Sequence, residues 1–306
     1  MQDIERLFRE QLQTFPLAAR HYRGVSAVAY KTVTFPGGRF VLQFNPERIR
    51  STAAPTDPAI IAARPCFLCP ANLPEGQRGI VYSPEYRIYV NPYPIFERHF
   101  TVPTATHQPQ RIAGRFGDML DIAAKYPACT VFYNGPNSGA SAPDHFHFQL
   151  APGGVLPVEE EADRMQTLAD DRHGRIGTLP DYLRKVLFLH SGEKTWLVSL
   201  FDSLLETLGR FIPSDPEPML NLIVWRRNGY WTAAVFPRKQ LRPRQFYAEG
   251  AEQILFSPGS VDFGGLLVTP RREDFERLDL ALLSELFAQL TVGDQEWEGL
   301  CSEMSL

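Results

Sequence analysis

Two histidines and a glutamine occupy alternate positions in the stretch DHFHFQL, residues 144 to 150. Alternate residues of a strand share one face, so His145, His147 and Gln149 are predicted to project together while the phenylalanines between them pack into a core. A neutral imidazole can attack phosphorus when its other ring nitrogen is held as an N–H donor, and the product is a phosphoramidate. A glutamine amide can donate to a phosphoryl oxygen but has no proton for a leaving group. The pattern therefore indicates either a solvated strand or a phosphoryl-transfer site.

The loop NGPNSGASAPD precedes these histidines and is rich in glycine and small polar residues. Glycines let backbone N–H groups approach an anion closely, although such a loop on its own is more typical of an ordinary turn. Beside two histidines on one face, Asn134, Ser138 and Ser141 become candidate phosphate contacts. In FNPERIRS, Arg48 or Arg50 could add a forked contact to a phosphate.

A second motif is the C-x-x-C formed by Cys66 and Cys69, whose spacing suits two thiolates on one Zn²⁺. Zinc needs two further ligands, and His99, His107 and His145 are the nearest downstream histidines. A redox pair or two buried thiols are the alternatives, because no second cysteine pair follows in the chain.

The composition limits the possible classes of protein. Of the 306 residues, 44% are hydrophobic and 22% charged, as in a globular protein, and 31 basic against 35 acidic residues give a net charge of −4. That balance argues against a nucleic-acid partner, which needs clustered basic charge. The segment MQDIERLFREQLQTF is too charged for a signal peptide, and no apolar run reaches the roughly 20 residues of a membrane span. We therefore expect a cytoplasmic protein with no membrane partner.

Periodicity predicts an α+β chain in two comparable halves, residues 1–155 and 156–306. The first half should contain an amphipathic helix, a hairpin at Pro36-Gly37-Gly38, further strands, a helix at about 109 to 126, and the strands ACTVFYNG and HFHFQLA. The second should contain a helix in LVSLFDSLLETLGRF, a hairpin turning at Asn228-Gly229, the strand GGLLVTP and a helix from Arg272 to about Leu290. The intervening 151 to 180, with its Glu159-Glu160-Glu161 run, is predicted to be a linker or covering loop.

Several segments together resemble a known family. They are NPYPIFERHFTVPTATHQPQ, NGPNSGASAPDHFHFQ, and NLIVWRRNGYWTAAVFPR followed by DFGGLLVTP, and they span most of residues 40 to 275. The chain resembles the transferase branch of the histidine-triad superfamily, which includes galactose-1-phosphate uridylyltransferase, diadenosine tetraphosphate phosphorylase and GDP-L-galactose phosphorylase. The resemblance implies histidine-triad-like antiparallel sheets with crossing helices in two related halves, of which only the first carries the catalytic H-x-H-x-Q.

The resemblance also implies roles for individual residues. His147 would be the nucleophile, Gln149 the partner of a phosphoryl oxygen, and Asn134 with the loop serines the phosphate contacts. The implied ligands of a structural zinc ion are Cys66, Cys69, His107 and His145. The relatives usually place a serine three residues before the first histidine, whereas Ser141 lies four before His145. Whether Ser138 or Ser141 contacts phosphate is therefore open.

The expected function is a nucleotidyltransferase or phosphorylase that acts on a nucleotide sugar or dinucleoside polyphosphate and passes the nucleotide to a phosphate acceptor. One alternative is a metal-dependent phosphohydrolase in which His145 and His147 both hold a metal. It would need a nearby carboxylate, and the period of a strand predicts that Asp144 points to the opposite face. The other alternative is a zinc-stabilised protein that binds nucleotide without catalysis.

Overall fold

The computed structural model describes residues 1–25, 28–49 and 58–305 of the chain. Its helices are α1 (Gln2–Thr14), α2 (Pro16–Val25), α3 (Pro58–Ala63), α4 (Phe116–Lys125), α5 (Pro157–Glu161), α6 (Lys194–Phe211), α7 (Ser260–Phe263), α8 (Arg272–Arg277), α9 (Leu280–Leu290) and α10 (Asp294–Glu303). Its strands are β1 (Ala29–Phe35), β2 (Gly38–Phe44), β3 (Gly79–Val81), β4 (Arg87–Val90), β5 (Phe100–Pro103), β6 (Cys129–Asn134), β7 (His147–Pro152), β8 (Gln166–Asp170), β9 (Gly174–Thr178), β10 (Leu187–Ser191), β11 (Leu220–Arg227), β12 (Tyr230–Pro237) and β13 (Leu266–Thr269).

In the described part of the chain these strands form a ten-stranded sheet and a three-stranded sheet. The large sheet is antiparallel throughout, in the order β3-β4-β5-β7-β6-β11-β12-β10-β9-β8. The small sheet has the order β1-β2-β13, and its β2-β13 pair is parallel. The predicted α+β class with antiparallel sheets is thus confirmed, with this one parallel pair as an exception.

The two sides of the large sheet repeat one arrangement. From one outer edge the strands run β3-β4-β5-β7-β6, and from the other they run β8-β9-β10-β12-β11. A long helix follows the third strand on each side, α4 after β5 and α6 after β10, and leads into β6 or β11 at the middle. The predicted pair of related halves is therefore present in the topology. The boundary between residues 155 and 156 stays a prediction, because strands of both segments share one sheet.

Each face of the large sheet packs against its own hydrophobic core. On one face, which we call the helix face, α1, α4, α6 and α10 cover the sheet, and the rings of Phe116 and Phe201 stack at 4.1 Å. On the other face, the site face, the small sheet and α9 contribute to a second core, where Phe40 and Phe287 stack at 4.9 Å. Burial of apolar side chains on both faces explains why the middle strands are almost continuously hydrophobic.

The turn between β11 and β12 forms where the sequence predicted it. Asn228 and Gly229 have φ of 53° and 88°, the left-handed values that a two-residue type I′ hairpin requires. Asparagine and glycine adopt this conformation more readily than other residues do, which makes the pair a reliable local signal.

Two predicted helices differ from the observed ones. The helix expected at about 109 begins only at Phe116, since the N–H of Ile112 donates to the buried carboxylate of Glu217 at 2.8 Å and Gly114 has φ of 72°. The helix expected from Arg272 to Leu290 is two helices. The side chain of Asp279 accepts from the N–H of Leu282 at 2.9 Å and starts α9 as a new N-cap.

The prediction that residues 151 to 180 form a linker is wrong, because this segment contains α5, β8 and β9. Glu159 and Glu161 of the acidic run are each only 2% exposed. Glu159 accepts from the N–H groups of Gly154 and Leu156 at 2.8 and 3.2 Å, and Glu161 pairs with the buried Arg184 at 2.9 Å. A run of acidic residues suggests a solvated surface, but Glu159 is held by N–H groups of its own segment and Glu161 by an arginine 23 positions away.

Among the helices in the described residues, none is both long enough and apolar enough to cross a membrane.

Candidate active site and metal centre

Strand β7 separates its polar and apolar side chains between the two faces of the sheet. Phe146 and Phe148 are fully buried in the core of the helix face, so His147 and Gln149 lie on the site face. His145 precedes the strand, which begins at His147, and so does not follow its alternation. His147 is only 3% exposed. The interpretation as an ordinary solvated strand is therefore wrong.

The ring of His147 is held in one tautomer. Its Nδ1 lies 2.8 Å from the carbonyl oxygen of His145, and because a carbonyl can only accept, Nδ1 must carry the proton and donate. The lone pair is then on Nε2. Burial lowers the pKa of His147 to about 4, so that the imidazole is neutral near pH 7. This is the protonation state that a nucleophilic histidine requires.

A second histidine fixes the orientation of the Gln149 amide. The N–H of Ile95 donates to His99 Nδ1 at 3.3 Å, which leaves Nε2 to donate to the Oε1 of Gln149 at 2.9 Å. Burial lowers the pKa of His99 to about 3, consistent with a neutral ring. Because the amide oxygen is held by His99, the amide N–H groups of Gln149 are the part of this side chain that could donate to a phosphoryl oxygen.

Four side chains form a candidate metal centre beside the strand. They are Cys66, Cys69, His107 and His145, and their potential ligand atoms all lie within 4.8 Å of one another. Nδ1 of His145 is 3.3 Å from the sulfur of Cys66, and Nδ1 of His107 is 3.3 Å from that of Cys69. His99, the other histidine considered from the sequence, instead orients Gln149.

The hydrogen bonding of His145 fits a metal ligand. Its Nε2 lies 2.9 Å from the carbonyl oxygen of Thr104 and therefore donates, which leaves the Nδ1 lone pair toward the two sulfurs. Metal-binding histidines commonly donate their second ring nitrogen in this way. Two thiolates and two imidazoles match the donor set and number of a structural zinc site.

The strand period predicted that Asp144 points to the face opposite the histidines. That prediction is wrong, because Asp144 lies beside this cluster. Its carboxylate is 3.1 Å from the guanidinium of Arg64 and 3.9 Å from Nε2 of His107. The reason is that residues 141 to 146 form turns and bends, so alternation does not apply to them. Arg64 also donates to the carbonyl oxygen of Ser141 at 3.1 Å and so connects the cysteine segment to the loop.

Asn134 begins the predicted phosphate loop, and its side chain is anchored by the second half of the chain. Its Oδ1 accepts from the N–H of Ser260 at 2.7 Å and from Nδ2 of Asn221 at 2.8 Å. Asn221 also donates to the carbonyl oxygen of Ser138 at 2.7 Å, and Nη1 of Arg238 donates to the Oδ1 of Asn221 at 2.6 Å. Only the amide nitrogen of Asn134 is left to contact a phosphate.

The two loop serines lie in different surroundings. Ser138 is fully buried, and within the described residues its hydroxyl has no hydrogen-bond partner. Ser141 is exposed, and its backbone is held by Arg64 on the side of the metal centre. A buried hydroxyl without a partner is unfavourable unless something satisfies it. This favours Ser138 over Ser141 as a phosphate contact.

Arg48 approaches the site from the segment after β2. Its Nη1 donates to the carbonyl oxygen of Tyr93 at 2.7 Å, and its buried Nε has no partner within the described residues. Burial lowers the pKa of Arg48 to about 10, and its charge contributes, after burial, to the low pKa of His99. The positive charge of Arg48 is thus felt at the ring of His99, which orients Gln149. Arg50, the other arginine proposed from the sequence, lies outside the described residues.

The sequence interpretation missed several residues that build this site. They are Gln110, which contacts His147, and Asn221, Ser260, Arg238 and Asp262 from the second half. Each is a single polar residue in a buried or irregular segment, where no spacing marks it. A polar residue within the hydrophobic run LNLIVW was the one available signal, and it pointed to Asn221.

The fold is shared with solved structures of a yeast enzyme. Yeast Ap4A phosphorylase Apa2 in complex with Ap4A superposes with a TM-score of 0.62 at 17% identity, covering 93% of this chain and 97% of that one. The same protein in complex with AMP gives a TM-score of 0.57 at 18% identity, covering 92% and 96%. The chain therefore shares its fold with yeast Ap4A phosphorylase, and this is the kind of fold that its motifs implied.

The match to a family profile and to a further solved structure is weaker. The profile of the DUF4922 family, a domain of unknown function, matches residues 7–152, which contain the H-x-H-x-Q motif and the C-x-x-C. A uridylyltransferase mutant covers 79% of this chain and 92% of its own length at 12% identity, with a TM-score of only 0.40. No curated protein matches the chain significantly by sequence.

Proposed function

We propose that this protein is a nucleotidyltransferase or phosphorylase that transfers a nucleotide through a covalent intermediate on His147. The observation that carries the proposal is the neutral, tautomer-locked imidazole of His147, with Nδ1 bound to the carbonyl of His145, beside the oriented amide of Gln149. The shared fold with yeast Ap4A phosphorylase, which was crystallised with Ap4A and with AMP, supports a nucleotide as the substrate class.

In the first half-reaction, the Nε2 lone pair of His147 attacks the α-phosphorus of a nucleotide sugar or dinucleoside polyphosphate. A P–N bond forms, and the bond from that phosphorus to the bridging oxygen breaks. The distal phosphate-bearing group leaves with the electron pair. Gln149 donates to a phosphoryl oxygen as negative charge develops there, which stabilises the transition state.

In the second half-reaction, an oxygen of an acceptor phosphate attacks the same phosphorus, the P–N bond breaks, and Nε2 regains its lone pair. Gln149 cannot protonate a leaving group at neutral pH. Phosphate groups leave readily as anions and need no such proton, so this site favours exchange between phosphates over reactions that expel an alkoxide. The acceptor is therefore inorganic phosphate or a sugar phosphate.

Phosphate binding is assigned to the loop and to one arginine. We propose Asn134 and Ser138 as the contacts, with Arg48 adding a charged one, and Ser141 as the less favoured serine. Residues 1–155 would then carry the chemistry, and residues 156–306 would complete the substrate site. The anchoring of Asn134 and Ser138 by Asn221 supports this division of labour.

We propose that Cys66, Cys69, His107 and His145 hold a structural Zn²⁺ ion. Bound zinc would cross-link the C-x-x-C segment to His107, which precedes β6, and to His145, which follows the phosphate-binding loop. Four protein ligands would leave no open position for catalysis. His145 is two residues before His147 and accepts its Nδ1–H through the backbone. A zinc ion bound to His145 would therefore also hold the carbonyl group that accepts from the His147 ring.

The test is intact-protein mass after mixing with Ap4A and, separately, with a panel of nucleoside diphosphate sugars, in the absence of phosphate. The expected result is a nucleotidyl adduct on wild-type protein that maps to His147, disappears on adding phosphate and does not form in His147→Ala. Turnover that requires added metal and leaves no adduct would favour the phosphohydrolase. Nucleotide binding without turnover or adduct would favour the non-catalytic binding protein.

A further inference from the structure

The ladder between β6 and β7 stops short of the nucleophile. Phe132 pairs with Gln149, and the same register continued by two residues would pair Asn134 with His147. In the described structure that pair does not form. The side chain of Gln110, from the segment between β5 and α4, lies between the two backbones instead.

Gln110 uses its whole amide for this contact. Its Oε1 accepts from the N–H of His147 at 2.8 Å, and its Nε2 donates to the carbonyl oxygens of His147 at 3.1 Å and of Asn134 at 2.9 Å. The side chain is fully buried. A buried amide with all these groups satisfied is a rigid connection, because breaking it would leave several polar groups without partners.

The backbone around Gln110 is fixed to the chain that leads into β7. The N–H of Gln110 donates to the carbonyl oxygen of Pro143 at 3.1 Å, and the N–H of Phe146 donates to that of Gln108 at 2.6 Å. The same segment carries His107, one of the four residues of the candidate metal centre. Gln110 thus belongs to a short segment whose backbone is anchored at Gln108 and at Gln110 itself.

Insertion of an amide changes the shape of the sheet at this point. Directly paired antiparallel strands lie about 4.8 Å apart. An amide that bridges the two backbones keeps β6 and β7 from closing to that spacing where the loop from Asn134 leaves one strand and His147 begins the other. The amide of Gln110 thus links the backbone of His147 to Asn134, where the loop begins.

We propose that Gln110 is a positioning residue, which sets the spacing between the imidazole of His147 and the loop that begins at Asn134. This inference rests on the proposed function, since it assumes that the loop holds the phosphate that His147 attacks. A displacement of about 1 Å at a reacting atom can lower a rate by roughly 100-fold without weakening binding to the same extent. Gln110 touches no substrate in this role and acts through His147.

The test compares Gln110→Met with Gln108→Met. Methionine has nearly the shape of glutamine but neither donates nor accepts strongly. Gln108 serves as the control because its side chain contacts Thr106 and Arg115 instead of the site. Amide hydrogen exchange is measured first, without any substrate. We expect the His147 amide to exchange at least about tenfold faster in Gln110→Met, with the amides of the β6-β11 pair unchanged.

The second measurement is the kinetics of adduct formation and turnover, with Ap4A and the nucleoside diphosphate sugars as probes. For Gln110→Met we expect kcat to fall about 100-fold while KM changes less than about threefold, and for Gln108→Met we expect no change in either. If Gln110→Met does not fold, Gln110→Glu replaces it. Glutamate keeps the acceptor for the His147 N–H and places an acceptor against two carbonyls.

The outcomes separate this inference from the proposed function. A normal kcat in the variant with faster exchange at His147, or a parallel loss of activity and of β6-β11 protection, would overturn the positioning role. No adduct on the wild-type protein with any probe would overturn the proposed function, and the positioning role with it. Faster exchange at the His147 amide would in that case show only that Gln110 binds this N–H group.

Discussion

β7 and β12 occupy equivalent places in the two sides of the large sheet, yet their first residues differ completely in environment. β7 lies between β5 and β6, and β12 lies between β10 and β11. His147, which begins β7, is 3% exposed, whereas Tyr230, which begins β12, is 51% exposed and stacks on His190. The same position in the same sheet thus holds a buried candidate nucleophile on one side and a surface ring on the other.

The connection before each strand explains the difference. β11 and β12 are joined by the two residues Asn228 and Gly229, which close the hairpin directly. β6 and β7 are joined by residues 135 to 146, which supply the small polar loop and His145 of the metal centre. The sheet alone therefore does not make the site. The loop supplies the His145 carbonyl that holds the His147 ring, and Gln110, from another segment, holds the His147 backbone.

The second half contributes by supporting the first. Asn221 pairs with Asn134 across the middle of the sheet and also holds the carbonyl of Ser138, while Ser260 donates to Asn134 from the start of α7. The half without a histidine pair thus contacts and holds the loop. The following experiments test this contrast between the side that carries the proposed nucleophile and the side that supports it.

The largest effect is expected from the first residues of the two strands. His147→Ala should abolish the nucleotidyl adduct and lower turnover at least about 1,000-fold, because no other group supplies the nucleophile. Tyr230→Ala, the matched change on β12, should leave turnover within about twofold of wild type. Intact mass and steady-state rates measure both. Comparable losses in the two variants would show that the sides do not differ in chemistry.

The next test concerns Gln149 on β7 and Thr232 on β12, each two positions after the first residue of its strand and on the same face. Gln149→Ala should slow both half-reactions by about 100-fold, the scale expected when one oriented donor to a developing charge is lost. Thr232→Ala, at the corresponding place on β12, should change neither half-reaction. Single-turnover rates of adduct formation and decay are the measurement, and an unchanged rate in Gln149→Ala would remove this residue from the proposed mechanism.

Loss of the metal centre should reduce activity indirectly. Cys66→Ser, Cys69→Ser and His107→Ala are each expected to lower zinc content and thermal stability together, with activity falling by roughly 10- to 100-fold as the loop loosens. Cys301→Ser, a cysteine of the second half, serves as the control. Elemental analysis and thermal unfolding decide the matter. A zinc-free, fully active and equally stable Cys66→Ser protein would show that the cysteines are buried thiols only.

A smaller effect is expected from the supporting side. Asn221→Ala removes one of the anchors of Asn134 and the donor to the Ser138 carbonyl, so we expect turnover to fall about tenfold. It also leaves Arg238 without one partner, at a cost of about 1–3 kcal/mol in unfolding free energy. Asn221→Asp keeps an acceptor for Arg238 but loses both donors. It should therefore lose activity with a smaller loss of stability, as chemical denaturation alongside rate measurements would show.

The last prediction concerns acid stability, which is measured separately from turnover. Burial lowers the pKa of His99 to about 3, below the value of about 6.5 in an unfolded chain, so the native state binds fewer protons between these values. Stability should consequently fall as pH drops through that window, by at most about 1.4 kcal/mol per pH unit. The buried Asp262, with its pKa raised to about 6, acts in the opposite direction. His99→Gln should flatten the acid slope of unfolding free energy relative to wild type, and an identical slope would contradict the assignment.

The sequence by itself determined the features that depend on neighbouring residues. Alternation in HFHFQL placed Gln149 opposite the phenylalanine core, and Asn228-Gly229 marked a hairpin, because strand pleat and turn conformation are local properties. The C-x-x-C spacing likewise marked Cys66 and Cys69 as a possible pair of ligands. Together with the family resemblance, these local patterns were enough to indicate the fold and the four residues that lie together in the candidate metal centre.

Only the tertiary structure decided which groups complete the site. Asn134 meets Asn221 and Ser260 across 87 and 126 positions of sequence, and Gln110 reaches His147 across 37. Such contacts depend on how β6, β7 and β11 lie side by side, and a single polar residue leaves no periodic trace of its future partner. The burial that keeps His147 neutral, and the different surroundings of Ser138 and Ser141, arise in the same way, because burial is a property of the packed molecule and not of the segment.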